Sequence, residues 1–327
     1  MSAKPKIFLS RRLPPATMEL LQAESQLTFN PDDRVLTTEE LHAGVQGQDA
    51  LLCTLNDRID EAFLEANSHL KAVANYAVGY NNIDVPAATQ RKIAVTNTPG
   101  VLTDTTADIA WALMFAVGRR IVEGDTLVRS GQWTGWAPLQ LLGQDITGAT
   151  LGLVGLGRIG KAMIARAKGF AMRVIYWNRT RLSETEEAEL GLTYLSLDEV
   201  LAQADFVSIH VALTPATTHL IGADELAKMK ATAYIINTAR GPVIDEKALV
   251  SALQNNQIAG AGLDVFEREP ALEPGLAELP NVVIPPHLGS ATIGTRTKMG
   301  NMAARNLFAA CRGETPPNIL NPEIYAR

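Results

Sequence analysis

The sequence predicts an α/β protein made of two doubly wound parallel sheets, and three observations carry that reading. Short apolar runs alternate with longer helical patterns from end to end, as parallel sheets covered by helices require. One such run, Leu151-Gly152-Leu153-Val154, passes directly into Gly155-Leu156-Gly157-Arg158-Ile159-Gly160 and then into a helix of small residues. Prolines at Pro99 and at the Pro285-Pro286 pair stand where the chain would leave one sheet for the other and return.

Residues 6–9, 27–30, 50–54, 72–77 and 94–97 read as strands of a small first sheet. A single long helix over 104–130 follows, with Thr103 as its N-cap and Gly131 as its stop. Residues 131–148 show no clear period and carry Trp133, Trp136 and Leu139, which suit an interface better than an idle loop. The runs 151–154, 174–177, 206–211, 234–237, 260–265 and 282–284 form a six-stranded second sheet, and a last helix over 292–312 packs back on the first. The second sheet is therefore an insertion: residues 1–100 with 288–327 make one domain, and 101–287 the other.

A chain of 327 residues suits about two domains, and 46% apolar residues fill two cores. No run approaches the roughly 20 apolar residues of a membrane span. The opening Met1 to Lys6 leads into Ile7-Phe8-Leu9 with neither an apolar leader nor an Arg-rich transit segment, so a cytoplasmic protein away from membranes is expected. Cys53 and Cys311 lie far apart, which argues against a disulfide framework and against a cysteine metal site; no metal is expected. A net charge of −6 leaves no basic field for nucleic acid.

In the glycine motif, Gly155 permits the tight turn, Gly157 lets the backbone approach a pyrophosphate, and Gly160 lets the helix lie close to the strand. The following strand ends in Asn178-Arg179-Thr180-Arg181, where NAD-binding chains carry a carboxylate for the ribose hydroxyls. Two guanidiniums and a hydroxyl suit a 2′-phosphate instead, so NADP(H) is the expected cofactor, with NAD(H) the second choice. Open parallel sheets bind ligands beyond their carboxyl ends, and there stand Arg240, Glu269 and His287. Singly, each has an ordinary role: a sheet-end salt bridge, a surface turn, a loop cap. On one edge they read as a carboxylate clamp with a carboxylate-tuned proton donor.

Segments 74–84, 97–108, 155–160, 178–181, 237–241, 262–267 and 286–291 together resemble the D-isomer-specific 2-hydroxyacid dehydrogenases, most of all the glyoxylate/hydroxypyruvate reductase branch, over essentially the whole chain. Ala212 departs from the pattern, standing where relatives usually carry a proline. The resemblance implies a Rossmann dinucleotide-binding domain inserted into a flavodoxin-like substrate domain, and reduction of a small 2-oxo acid by hydride transfer. It implies that Arg240 holds the substrate carboxylate with the N–H groups of Val78 and Gly79, that Leu55 lines the same pocket, and that His287 gives a proton while Glu269 orients it. Thr106 and Asp264 resemble nicotinamide contacts, and Thr238, Ala239, Arg240, His287 and Gly289 join residues 155–160 and 178–181 around the cofactor. A homodimer is expected through residues 131–139 and the long helix before them, a segment that relatives of this kind use as a dimer arm, and Trp136 is expected to reach the partner's substrate cleft. Two other readings share these residues: a corepressor of the C-terminal-binding-protein type, and a phosphite dehydrogenase, which places a lysine where this chain has Val78.

Overall fold

The computed structural model describes residues 4–326; Met1, Ser2, Ala3 and Arg327 lie outside the described residues. In chain order the elements are β1 (Lys6–Leu9), α1 (Pro15–Glu24), β2 (Gln26–Phe29), α2 (Thr38–Gly44), β3 (Ala50–Cys53), α3 (Glu61–Ala66), β4 (Ala72–Asn75), α4 (Val85–Gln90) and β5 (Ala94–Thr96). There follow α5 (Thr103–Gly118), α6 (Ile121–Arg129), β6 (Thr150–Val154), α7 (Arg158–Gly169), β7 (Arg173–Trp177), α8 (Glu184–Leu190), β8 (Leu192–Tyr194), α9 (Leu197–Gln203), β9 (Phe206–Ile209), α10 (Ala223–Lys228), β10 (Tyr234–Asn237), α11 (Glu246–Gln254), β11 (Gly260–Leu263), β12 (Val282–Val283) and α12 (Ile293–Cys311). They group into two compact units, one running to Leu102 and resuming at Ala291, the other spanning Thr103–Ser290.

The first unit holds a five-stranded parallel sheet in the order β2-β1-β3-β4-β5, a flavodoxin-like winding. Its inner strands β1, β3 and β4, with β5, are buried almost throughout because both faces are covered, whereas edge strand β2 alternates exposed Gln26 and Thr28 with half-buried Leu27 and Phe29. Alternation still sorts the side chains: Ala50 and Leu52 of β3 pack with Leu307 and Ala303 of α12, while Leu51 and Cys53 pack with Phe63 of α3 and Ala88 of α4. Helix α12 is opened by Thr292, whose hydroxyl accepts from the Thr295 N–H at 3.1 Å.

The second unit holds a parallel sheet in the order β12-β11-β10-β9-β6-β7-β8. This is the Rossmann order with β12 added at one edge. Val154, Ile209 and Ile235 face α9 to α11, and Leu153, Tyr176 and Ile236 face α5 and α7. The winding reverses between β6 and β9, so the loops after these two strands part at the sheet's carboxyl edge.

Two expectations need correction. The second sheet has seven strands, not six, because the three-residue β8 pairs with β7 from Val174↔Leu192 to Tyr176↔Tyr194. Nor is the helix over 104–130 continuous. Thr103 is its first helical residue rather than its cap, and it ends at Gly118, whose carbonyl accepts from the Gln144 N–H at 2.8 Å. Arg120 then takes a left-handed conformation (φ 53°) as the N-cap of α6, and Gly131 (φ 70°) lies just past that helix. Residues 131–148 form no helix or strand, and Trp136 and Leu139 are 83% and 81% exposed. No described helix is long and apolar enough to cross a membrane. Among the described residues no cluster of His, Cys, Asp or Glu has the arrangement of a metal site, and Cys53 and Cys311 are both unpaired thiols.

Candidate active site

The glycine turn sits after β6, at the point where the winding reverses. Gly155 has φ 96°, and a Cβ there would lie 2.8 Å from the His210 backbone; one on Gly160 would lie 2.5 Å from the Gly155 carbonyl. At Gly157, by contrast, the space is open and the residue is exposed, next to exposed Arg158 and half-buried Ile159 at the start of α7. The loop is tied by Gly155 N–H to the Trp177 carbonyl (2.9 Å) and by Leu156 N–H to Asn178 Oδ1 (3.2 Å). Asn178 also donates from Nδ2 to the Thr180 carbonyl at 2.8 Å. One side chain thus joins the glycine turn after β6 to the turn after β7. His210, which the sequence reading passes over, is the residue after β9. It hydrogen-bonds Ser208 Oγ at 2.9 Å, and burial pushes its imidazole down to about 4, so it stays neutral at pH 7.

At the ribose turn the two arginines differ. Arg179 and Thr180 are exposed, whereas Arg181 lies 5.3 Å over the Tyr194 ring with its fork on Glu187, Nε to Oε1 at 2.9 Å and Nη2 to Oε2 at 2.8 Å. Glu187 also accepts from the Tyr176 hydroxyl at 2.7 Å. The Arg181 and Tyr176 hydrogen bonds hold its carboxyl down to about 2. A carboxylate is therefore present after all, but it serves Arg181. It escaped notice because it sits inside α8, outside the turn itself.

On the far side of the switch point, the turn after β10 is organised by buried Asn237, whose Nδ2 donates to the Arg240 carbonyl (2.9 Å) and whose Oδ1 accepts from Ala239 N–H (3.0 Å). Arg240 is half-buried, with Nη1 on the Ala239 carbonyl at 2.7 Å. Burial pulls its guanidinium below the ordinary value, against the charge of Glu269. Gly241 lies flush against the Phe266 carbonyl, stacking this turn on the one that carries Glu269. Thr238 has a buried hydroxyl with no hydrogen-bond partner. Such an orphan suits a bound dinucleotide, as do the open face at Gly157 and the exposed cation at Arg179.

His287 comes from the loop after β12. Its Nδ1 is 3.0 Å from Glu269 Oε2, and Glu269 Oε1 accepts from the Phe266 N–H at 3.0 Å. Burial raises the Glu269 carboxyl, but the hydrogen bond and charge of His287, the Phe266 N–H and Arg240 outweigh it and hold the group below its ordinary value. With Nδ1 committed to the carboxylate, Nε2 is the ring atom left for proton exchange. The two N–H groups after His287 are fixed by Asp264, which accepts from Leu288 (2.5 Å) and Gly289 (2.7 Å). Burial, opposed by those N–H groups and the charge of His287, holds the Asp264 carboxyl above the usual carboxylate value. Thr106 of α5 closes the group, its hydroxyl donating to the Gly289 carbonyl at 3.1 Å.

The second unit thus gathers most of the expected residues on one sheet edge. Leu55, Val78 and Gly79 belong to the first unit, half-buried on the loops after β3 and β4, at the carboxyl edge of that sheet. Trp136 lies in neither group, out on the segment between α6 and β6.

Residues 111–289 match the family described as D-isomer specific 2-hydroxyacid dehydrogenase, NAD binding domain. The chain is 48% identical to the glyoxylate reductase of Thermococcus litoralis over 98% of both chains, and 48% identical to that of Pyrococcus furiosus over 98% of this chain and 96% of the other. Among solved structures, a glyoxylate reductase from Paecilomyes thermophila superposes with a TM-score of 0.86 at 35% identity, covering 99% of this chain and 100% of that one. The NADPH-dependent glyoxylate/hydroxypyruvate reductase of Sinorhizobium meliloti, in complex with NADP and malonate, gives 0.86 at 33% identity over 99% of both.

Glu187 supplies a pH test. Its folded value is depressed from 4.5 to about 2, so its pairing contributes stability in full above 4.5 and loses it as pH falls through about 2. Glu187→Gln is expected to be less stable than the wild type at pH 7, the difference shrinking between these values and vanishing near pH 2, as read by urea unfolding at stepped pH.

Proposed function

The chain belongs to the D-isomer-specific 2-hydroxyacid dehydrogenases, and from that membership we propose that it reduces small unbranched 2-oxo acids, glyoxylate and hydroxypyruvate foremost, preferring NADPH to NADH. The observation that carries the reading is the His287–Glu269 bond of 3.0 Å, which leaves the imidazole Nε2 available on the edge that also bears Arg240. The protein is an NAD(P)-dependent enzyme, so the corepressor reading falls away.

When bound, the reduced nicotinamide supplies a hydride to the carbonyl carbon of the substrate. Arg240 binds the substrate carboxylate with its fork, joined by the N–H groups of Val78 and Gly79, while Leu55 gives an apolar wall. His287 Nε2–H gives its proton to the carbonyl oxygen as negative charge develops there. Glu269 holds the ring by Nδ1 and favours its charged form. Thr106, Thr238, Ala239, Asp264 and Gly289 hold the nicotinamide end, and residues 155–160 with Asn178, Arg179, Thr180 and Arg181 hold the adenosine end. In this reading Arg179 and Thr180 are the main 2′-phosphate ligands, since the Arg181 fork is shared with Glu187. Val78 adds no second cation, which favours one carboxylate over a phosphite dianion. A homodimer is proposed through residues 131–139, where Trp133, Trp136 and Leu139 are exposed, with Trp136 extending to the partner's substrate site.

Kinetics, variants and sedimentation test this reading. In a matrix of glyoxylate, hydroxypyruvate, pyruvate, phenylpyruvate and phosphite against both cofactors, kcat/KM is highest for the first two with NADPH, and Arg179→Asp moves the preference toward NADH; a wild type faster with NADH refutes the phosphate pocket. His287→Gln lowers kcat by about 10²–10⁴-fold with little change in NADPH affinity, and Glu269→Gln moves the alkaline limb of the rate profile to lower pH. Sedimentation at micromolar concentration gives a dimer, and a monomer there refutes the interface.

A further inference from the structure

In the first unit, three successive carbonyls on the loop after β4 are each held by a different donor. The Ala77 carbonyl accepts from the Thr98 N–H at 2.9 Å, that of Val78 from Asn97 Nδ2 at 2.7 Å, and that of Gly79 from Asn75 Nδ2 at 2.8 Å. These peptides are trans, so each following N–H points away from the group that holds its carbonyl. The N–H groups concerned are those of Val78, Gly79 and Tyr80, and none of them donates to an acceptor among the described residues. All three residues are at least partly exposed.

The two asparagines are themselves fixed. Asn75 is fully buried as the last residue of β4, and its amide spends its second hydrogen on Asn82 Oδ1 at 3.1 Å. Asn82 in turn donates to the carbonyls of Thr54 (3.1 Å) and Asp57 (3.0 Å). Asn97 is 7% exposed, and its main chain is anchored by Asn306 Nδ2 of α12, which donates to its backbone carbonyl at 3.3 Å. Turning the Asn75 amide over would strand its buried polar atoms, a change that costs about 1–3 kcal/mol, and turning that of Asn97 would take the donor from the Val78 carbonyl.

We infer that Asn75 and Asn97 are positioning residues for carboxylate recognition: by gripping the Gly79 and Val78 carbonyls they aim the Tyr80 and Gly79 N–H groups outward, making Tyr80 N–H a third donor beside those of Val78 and Gly79. The inference rests on the reading above that this loop holds the substrate carboxylate. Backbone donors aimed in this way bind a carboxylate without a counter-charge of their own, and their direction is set by side chains that never touch the substrate.

The test uses the intact enzyme with glyoxylate as substrate and oxalate as a competing dianion. Asn97→Leu and Asn75→Leu remove the donors without adding charge; Asn97→Ser and Asn75→Ser do the same with less bulk where a leucine variant does not fold. Gly79→Pro removes one of the N–H groups itself. If the inference holds, both asparagine variants raise the glyoxylate KM and the oxalate Ki by about tenfold or more, with kcat and the NADPH Kd little changed. Unchanged KM and Ki in the asparagine variants, or a loss confined to kcat, overturns it while Gly79→Pro still weakens binding. If Gly79→Pro also leaves glyoxylate and oxalate unaffected, the assignment of this loop to the carboxylate fails with it.

Discussion

The edge that carries Arg240, Glu269 and His287 depends on one buried carboxylate, that of Asp264. Its N–H continues the sheet onto the Asn237 carbonyl at 2.9 Å, while its two oxygens take the N–H groups of Leu288 and Gly289. His287 immediately precedes that pair and holds φ 53°, a conformation that costs about 1–3 kcal/mol and persists because its surroundings enforce it. Asp264 supplies the enforcement from one side and Glu269 from the other. A charge that could not be buried alone is tolerated because two backbone donors meet it, and the histidine is in turn held where Nδ1 reaches Glu269.

Asparagine recurs where several of the loops leave their strands. Asn237 shapes the turn that carries Arg240, Asn178 joins the turns after β6 and β7, and Asn75 and Asn97 hold the loop after β4. A primary amide satisfies a carbonyl and an N–H at once and stays neutral at every working pH. Where a charge does stay inside, as at Glu187, it is matched by Arg181 and Tyr176.

Much of this was legible in the sequence because the dinucleotide turn and the strand-end turns are local motifs, each a few residues long with its own backbone requirement. The parallel sheets and the joint location of Arg240, Glu269 and His287 followed from strand-end positions alone. What escaped depends on partners distant in sequence. Strand β8 is only Leu-Thr-Tyr and exists because β7 offers it an edge. The break between α5 and α6 follows from Gln144 claiming the Gly118 carbonyl, which no periodicity between 104 and 130 can announce. Glu187 reaches Arg181 across a turn and a capped helix start, so the ribose turn read as more cationic than it is.

Asn178 grips its neighbours through main chain only: the Leu156 N–H on one side and the Thr180 carbonyl on the other. The frame of the adenosine end is consequently indifferent to which side chains occupy 179 and 180. Under the proposed reading, the side chains that would choose between the two cofactors are thus separable from the main-chain frame that holds the glycine turn in place.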